Sequence, residues 1–361
     1  MISNLYALVL AGGSGERFWP LSRRAKPKQL LSLFSKETLL EATLARLEGL
    51  IPRERILILT NCDQAAAVRA LPTGLPPENI VAEPSKRDTA AAIALGAGWI
   101  ARRDANATMM VLPADQLISD VAGFQQTLTT ATTAARETGC PVTIGIQPTW
   151  ACPSFGYIEQ GCPVAVNGLS EGSTEVFEVR RFREKPNAEL AESFLAEGNF
   201  RWNAGMFVWT IPAVLGQLKK HVPELAAFVE AFCTRANEEA VDALIAEQFP
   251  GLPKVSIDYA VMEKAERVLE VEAAFDWDDV GGWIAASKYW EKDKAGNTVN
   301  GQATTLNASK NIVFADPKVR VALVGVEGLI VVQTADALLV CRREEADKIK
   351  HLVAKLPTEL Q

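Results

Sequence analysis

The sequence predicts an α/β fold with a parallel sheet, followed by a small β-rich domain at the C-terminal end. Apolar runs alternate with helical patterns through the first 150 residues, as expected of parallel strands joined by crossover helices. After Trp290 the pattern changes to short strands separated by Gly, Asn and Asp. We therefore divide the chain at the polar stretch EKDKAGN, into domains of residues 1–292 and 293–361.

The individual elements follow from hydrophobic periodicity. Continuous apolar runs without alternation indicate strands buried on both faces, and they lie at residues 5–10, 55–60, 79–82, 108–112 and 142–146. Helical patterns lie at 38–50, 65–71, 89–103 and 124–138, and a final helix is expected from Glu344. Ligands of such sheets bind outside the carboxyl ends of the strands, where Gly12–Gly15 and Asp115 both fall.

Composition excludes several classes of partner. The formal net charge is -7 and there is no long basic run, so neither nucleic acid nor an acidic membrane surface is expected as the main partner. No run of 18 apolar residues predicts a membrane span, and the short apolar run at the N-terminus leads into glycines as a strand would. Six scattered cysteines without Cys-x-x-Cys spacing indicate reduced thiols in a cytoplasmic protein.

The stretch LVLAGGSGERFWPLSRRAKPKQLL, from Leu8 to Leu31, resembles a phosphate-binding loop. It lacks the Gly-Lys-Ser/Thr ending of a P-loop and the third glycine of a dinucleotide fingerprint. Its glycines nevertheless allow backbone N–H groups to surround a phosphate, and Arg17 and Lys28 could add charge-assisted bonds. A tight turn followed by a solvated basic stretch is the alternative interpretation.

Carboxylates at two places are candidate metal ligands. Asp115 ends the strand TMMVLPAD, where it could bind Mg²⁺ or, alternatively, cap a helix. Asp276, Asp278 and Asp279 lie together in FDWDDVGGW and would repel one another unless a cation or water relieved them. The segment is therefore a metal candidate; the alternative is that two of the three carboxylates face solvent, as we expect of Asp276 and Asp278.

Two further segments carry polar residues between apolar ones. Glu184 and Lys185 precede a proline in VFEVRRFREKP, and Asn203 lies in FRWNAGMFVW; a surface salt bridge and a structural turn asparagine are the alternatives. The two histidines, His221 and His351, have no setting that suggests a catalytic triad. Chemistry based on cations, lysines and positioning remains, as in phosphoryl or nucleotidyl transfer.

Taken together, the motifs resemble those of mannose-1-phosphate guanylyltransferases, which are also called GDP-mannose pyrophosphorylases. The chain contains, in the order seen in that family, GGSGERFWPLSRRAKPKQLL, EPSKRDTAAAIA, VLPADQLI, FGYIE, FREKP, WNAGMFVW, SIDYAVMEK and WDDVGGW. The resemblance covers nearly the whole chain. It implies a Rossmann-like nucleotidyltransferase domain with a mixed, mainly parallel sheet, and a C-terminal domain like a short left-handed β-helix.

The resemblance also implies a reaction and residue roles: mannose 1-phosphate and GTP would give GDP-mannose and diphosphate, with Mg²⁺ or Mn²⁺ as cofactor. The sugar phosphate is already an anion near pH 7, so no general base is expected. The implied roles are phosphate binding by Ala11, Gly12, Gly13, Gly15, Arg17 and Lys28; metal binding by Asp115 and Asp279; base and ribose binding by Glu83, Arg87, Asp88 and Thr89; sugar phosphate binding by Lys185; and sugar binding by Gly156, Glu184 and Asn203.

Three positions depart from the pattern of the family. Asp88, Gln116 and Ser154 stand where relatives usually have Asn, His and Gly. Another nucleotide or sugar phosphate therefore stays open as an alternative, as does a non-catalytic nucleotide-sugar sensor on the same fold. We expect a homodimer from the resemblance, and no isomerase activity because no segment resembles the isomerase domain of longer relatives.

Overall fold

The computed structural model describes residues 3–361, and over them the chain forms a nine-stranded sheet and a coil of short strands. The strands of the large sheet are β1 (Leu5–Leu10), β2 (Ile56–Asn61), β3 (Ile80–Glu83), β4 (Thr108–Pro113), β5 (Val142–Ile146), β6 (Tyr157–Pro163), β7 (Val176–Arg183), β8 (Phe200–Thr210) and β9 (Leu269–Glu272). Their order is β3-β2-β1-β4-β8-β5-β9-β7-β6.

The pairing of these strands confirms a mixed α/β sheet. Strands β1 to β4 pair in parallel, as do β5 and β9. Strand β8 is antiparallel to both β4 and β5, and β6 and β7 add an antiparallel extension. The parallel part places the carboxyl ends of β1, β3 and β4 at one edge of the sheet, and this edge carries the candidate site.

Helices cover both faces of the sheet, which explains the uninterrupted apolar strands. In β1, Tyr6 and Leu8 pack into the core layer on one face, whereas Leu5, Ala7 and Val9 pack into the layer on the other. The helices are α1 (Leu39–Ala45), α2 (Cys62–Arg69), α3 (Asp88–Arg103), α4 (Val121–Thr138), α5 (Ala188–Glu197), α6 (Ile211–His221), α7 (Pro223–Cys233), α8 (Glu238–Gln248), α9 (Trp283–Ala286) and α10 (Ile349–Val353). None of the helices formed by residues 3–361 has the length and the hydropathy of a membrane-spanning segment.

The C-terminal part is β-rich, as predicted, and its strands stack like the turns of a β-helix. The strands are β10 (Thr298–Asn300), β11 (Gln302–Leu306), β12 (Ile312–Phe314), β13 (Arg320–Val324), β14 (Leu329–Gln333) and β15 (Leu338–Arg342). Strands β10, β12 and β14 form one parallel ladder and β11 and β13 form another, while β15 closes the first ladder antiparallel. The expected final helix is a 3₁₀ segment, Arg343–Lys348, followed by the short α10.

One apolar core joins the C-terminal part to the segment that follows the glycine-rich loop. Trp283 lies at its centre and is fully buried. Its ring packs edge-on against Phe18 at 5.2 Å and at a tilt against Phe314 at 5.4 Å, and its indole N–H donates to the carbonyl of Trp19 over 3.1 Å. The loop segment, α9 and the coil of strands are therefore packed into one unit.

This packing gives a prediction for stability. Replacing Trp283 with alanine should lower the free energy of unfolding by about 3–5 kcal/mol, since a fully buried aromatic side chain would leave a cavity. Urea unfolding measures the effect. The matched control is Ile284→Ala at the half-exposed neighbouring position, where a loss below about 1 kcal/mol is expected. A loss below about 1 kcal/mol for Trp283→Ala would contradict the assignment of this core.

Candidate active site

A cavity of about 620 Å³ opens at the carboxyl edge of the parallel strands. The glycine-rich loop after β1, the end of β4, the start of α3 and the loops around residues 154–156, 184–185 and 277–279 all contribute to its wall. Of the residues with expected roles, the cavity is lined by Gly12, Gly13, Glu83, Asp88, Thr89, Asp115, Gly156, Glu184, Lys185, Asn203 and Asp279. Residues distant in sequence are thus brought together around one cavity.

Amide side chains hold the glycine-rich loop by its carbonyl groups. Gln29 donates to the carbonyls of Ala11, over 2.6 Å, and Gly13, and Gln64 donates to Gly13 over 3.1 Å. Among the described residues the N–H groups of Gly12 and Gly13 have no acceptor. With its carbonyls bound and these N–H groups unpaired, the loop can receive an anion.

The loop does not open a regular helix, and this distinguishes it from a dinucleotide fingerprint. Gly15 has a left-handed φ of 62° and leads into a single 3₁₀ turn, Glu16–Phe18. A Cβ at Gly15 would lie 2.6 Å from the backbone nitrogen of Lys28. Glycine at this position therefore allows the Lys28 segment to pack against the loop.

A buried lysine contacts both aspartates that were predicted as metal ligands. The Lys28 ammonium lies 3.0 Å from an Asp115 carboxylate oxygen and also donates to the backbone carbonyl of Asp279. Burial raises the pKa of the Asp279 carboxyl; Lys28 opposes this shift, while the negative charges of Asp115 and Asp278 add to it. Two carboxylates and one ammonium group thus meet beside the loop.

A second group of cavity residues comes from segments later in the sequence. It consists of Glu184, Lys185, Asn203 and Asp258. The Lys185 ammonium lies 2.7 Å from Glu184. The Asn203 amide donates to Asp258 over 3.0 Å, while its oxygen accepts from Thr143 and from the Gly205 N–H. A Cβ at Gly156 would lie 2.4 Å from a Glu184 carboxylate oxygen, so a side chain at this position would displace that carboxylate.

Asp258 is a cavity residue that the sequence alone did not indicate. It lies in the SIDYAVMEK segment, which folds as a π-helical turn over Asp258–Met262, and it lines the cavity. Burial, with a further contribution from Glu184, raises the pKa of Asp258 to about 6. The order in which SIDYAVMEK and WNAGMFVW occur could not show that Asp258 would contact Asn203 across the cavity wall.

The N-terminus of α3 contributes the third group of cavity residues. Asp88 is exposed, lies in the left-handed region with φ 64°, and accepts from the N–H of Thr89 over 2.9 Å. Burial raises the pKa of Glu83 to about 8, and the nearby Asp88 adds to that shift. Non-glycine residues with positive φ carry backbone strain, and Asp88, Lys185 and Val280 all lie in or beside this cavity.

Five of the residues with expected roles lie outside the wall of this cavity. Lys28 and Ala11 are buried behind it, and Gly15 packs against Lys28. Arg87 precedes α3 with its Nε buried and unpaired. Arg17 faces a neighbouring cavity, with its guanidinium 3.5 Å from the carbonyl of Gly281.

The expectation that Asp276 and Asp278 both face solvent is wrong for Asp278. Its carboxylate accepts from the Val280 N–H over 2.7 Å and from the Tyr289 hydroxyl over 3.0 Å, and it is largely shielded. Asp276 is exposed, but it accepts from the N–H groups of Ser119 and Asp120. The hydrogen bonds of both carboxylates therefore stabilise the conformation of the segment that contains Asp279.

Comparisons with known proteins show which families the two parts of the chain resemble. Residues 6–295 match the model of the "Nucleotidyl transferase" family, and residues 301–356 match the "MannoseP isomerase/GMP-like beta-helix domain". The mannose-1-phosphate guanylyltransferase of Sinorhizobium fredii (strain NBRC 101917 / NGR234) is 35% identical over 99% of this chain and 69% of its own length. That of Klebsiella pneumoniae is 36% identical over 97% of this chain and 73% of its own length.

A solved structure extends the likeness to the fold. The crystal structure of the mannose-1-phosphate geranyltransferase from Thermus thermophilus has a TM-score of 0.83 and 36% identity, covering 98% of this chain and 99% of that one. The fold and the site therefore define a nucleotidyltransferase. Within that class, this chain belongs to the mannose-1-phosphate guanylyltransferase family.

The raised pKa of Asp258 gives a prediction for stability against pH. A carboxyl whose pKa is higher in the folded state favours folding when protonated, and this contribution is lost as the pH rises through the folded-state pKa of about 6. Above that pH the buried carboxylate is charged, and its burial costs folding free energy. Asp258→Asn removes this cost and keeps an oxygen that can accept from Asn203. The variant should be about 1–3 kcal/mol more stable than the unmodified chain at pH 8.

Urea unfolding at pH 4.5 and pH 8 measures this difference, which should shrink at the lower pH. Asp242→Asn, on the exposed face of α8, serves as the control and should show no such dependence. An Asp258→Asn variant that is equally or less stable at pH 8 would contradict the argument.

Proposed function

We propose that this chain transfers GMP from GTP to mannose 1-phosphate, giving GDP-mannose and diphosphate. The observation that carries the proposal is the meeting of Lys28, Asp115 and Asp279 beside the glycine-rich loop, in one cavity with the Glu184–Lys185–Asn203 group. Cations and carboxylates at one point suit a reaction in which two phosphate anions must approach each other. The names of the family members supply the substrates of the proposal.

Asp115 and Asp279 fit a divalent cation, Mg²⁺ or Mn²⁺. Carboxylate oxygens are the ligands such ions prefer, and a cation between these two carboxylates would relieve their mutual repulsion. When bound, the ion would reduce the negative charge on the α-phosphate of the nucleotide. Lys28 already neutralises part of the carboxylate charge by its ion pair with Asp115.

The remaining parts of the nucleotide are assigned to the loop and to α3. The unpaired N–H groups of Gly12 and Gly13 would hold phosphate oxygens, with Lys28 and Arg17 stabilising the diphosphate as it leaves. Glu83, Arg87, Asp88 and Thr89 would face the base and the ribose. Guanine presents two N–H donor groups side by side, and a carboxylate such as Asp88 accepts from both.

The sugar phosphate is assigned to the opposite wall. Lys185 would bind its phosphate, while Glu184, Asn203 and the backbone at Gly156 would bind its hydroxyl groups. Because Glu184 and Asp258 hold Lys185 and Asn203 in place, the groups are already oriented before substrate arrives. The phosphate oxygen then attacks the α-phosphorus in line, a new P–O bond forms, and the bond to the β-phosphate breaks.

The direct test of this proposal is diphosphate release with Mg²⁺ and mannose 1-phosphate, using GTP, ATP, UTP and dTTP separately. Release with GTP is expected, and Asp115→Asn should lower kcat by about 100-fold or more because a charge at the reacting phosphate is lost. The control is the exposed Asp242→Asn, which should keep full activity. Release only with another nucleotide would overturn the choice of GTP, and no release with any nucleotide would overturn the activity.

Asp88 provides a separate prediction about base choice. Asp88→Ala should lower kcat/KM for GTP about tenfold, since two charge-assisted hydrogen bonds to guanine would be lost. The value for ATP should change less than about twofold, because adenine does not offer the same pair of donors. Equal losses with both nucleotides would show that Asp88 acts on the fold of α3 and not on the base.

A further inference from the structure

A second cavity, of about 940 Å³, lies between the catalytic part and the C-terminal part. Its walls are the loop around Trp150–Phe155, the segment Gly281–Lys288 and the C-terminal segment from Arg343 to Lys350. It shares Ser154, Phe155, Lys185, Trp277 and Asp279 with the first cavity. The two cavities therefore meet beside Asp279, at the metal candidate.

Cations outnumber anions along the second cavity. Its lining contains Arg17, Lys288, Arg343 and Lys350 in addition to the shared Lys185, against Asp278, Asp279 and Asp347. Asp278 already accepts from Val280 and Tyr289 and lies 3.7 Å from Lys288. The positive excess is local, since the whole chain carries a formal charge of -7.

Three of these cations, Arg17, Arg343 and Lys350, make few hydrogen bonds or ion pairs within the protein. The buried Nε atom of Arg17 lies 3.6 Å from a carboxylate oxygen of the exposed Asp347 and makes no hydrogen bond to any described residue. Lys350 is exposed and, within residues 3–361, makes no ion pair or side-chain hydrogen bond. The Arg343 guanidinium donates one hydrogen bond to the carbonyl of Lys310. An anion with several oxygens could satisfy all three side chains together.

We propose that the C-terminal part completes the diphosphate end of the active site, with Arg343 and Lys350 joining Arg17 to bind the β- and γ-phosphates of the nucleotide and then the released diphosphate. The inference rests on the proposed function for the source of this ligand. Asp347 holds Arg17 through a long, exposed contact that phosphate oxygens would replace. The apolar core around Trp283 keeps Arg343 and Lys350 at the cavity wall.

The test is binding of inorganic diphosphate in the presence of Mg²⁺, measured by calorimetry on the full chain. The double variant Arg343→Ala/Lys350→Ala should weaken binding at least about tenfold, because two charge-assisted contacts are removed. The matched control is Arg342→Ala/Lys348→Ala, which removes two exposed cations of the same segment that lie outside the cavity wall and should change the Kd less than about twofold.

A further variant, predicted to bind diphosphate more tightly, tests whether misfolding explains the weaker binding of the double variant. Asp347→Asn frees Arg17 from its partner and should tighten diphosphate binding by a few-fold, which a damaged fold would not do. In diphosphate-dependent cleavage of GDP-mannose, the double variant should raise the KM for diphosphate and leave the KM for GDP-mannose within about twofold.

The possible results separate the two proposals. Equal weakening by the double variant and its control, or unchanged binding in the double variant, would overturn the role of the C-terminal part, even in an active enzyme. Absence of diphosphate binding to the unmodified chain would also overturn it. Absence of GDP-mannose cleavage, with diphosphate binding still dependent on Arg343 and Lys350, would overturn the proposed function and with it the source assigned to the ligand.

Discussion

The contact of Lys28 with Asp115 and Asp279 is the interaction on which the site depends. It joins the glycine-rich loop, the end of β4 and the FDWDDVGGW segment, three parts of the chain that are far apart in sequence. Lys28 can reach both partners only because Gly15 has no side chain. A buried charge needs its counter-charge, so loss of either Lys28 or Asp115 would leave an unpaired ion and loosen the loop.

The C-terminal part is packed against the segments that form the site. The core around Trp283 packs the coil of strands against the residues that follow the loop, and the neighbouring Val280 is fully buried beside Asp279. The position of the carboxylate and the position of the coil are therefore coupled through the short stretch from Asp279 to Trp283. This coupling explains why cations of the last segment, Arg343 and Lys350, line a cavity that meets the first one at Asp279.

The local hydrophobic pattern was sufficient to predict the main strands and helices, and the order of the motifs was sufficient to predict the family. The run Leu5–Leu10 is the strand expected, and the glycines and Asp115 do lie at strand ends beside one cavity. Periodicity could not show that Asp278 would be shielded by Tyr289, or that Asp258 would hold Asn203, because both contacts join segments that only the fold brings together. Likewise, the sequence implied a phosphate role for Arg17 but not that it would face a second cavity shared with the C-terminal part.

The proposed reaction is a direct transfer, in which the sugar phosphate itself attacks the α-phosphorus and no side chain of the protein forms a bond to GMP. The stereochemistry at that phosphorus tests it most directly. One diastereomer of GTP carrying sulfur at the α-phosphate is converted with mannose 1-phosphate, and the configuration of the product is read by phosphorus NMR. Inversion of configuration is the result predicted for one in-line displacement. Retention would contradict the account, because it requires two displacements and a covalent intermediate on the protein.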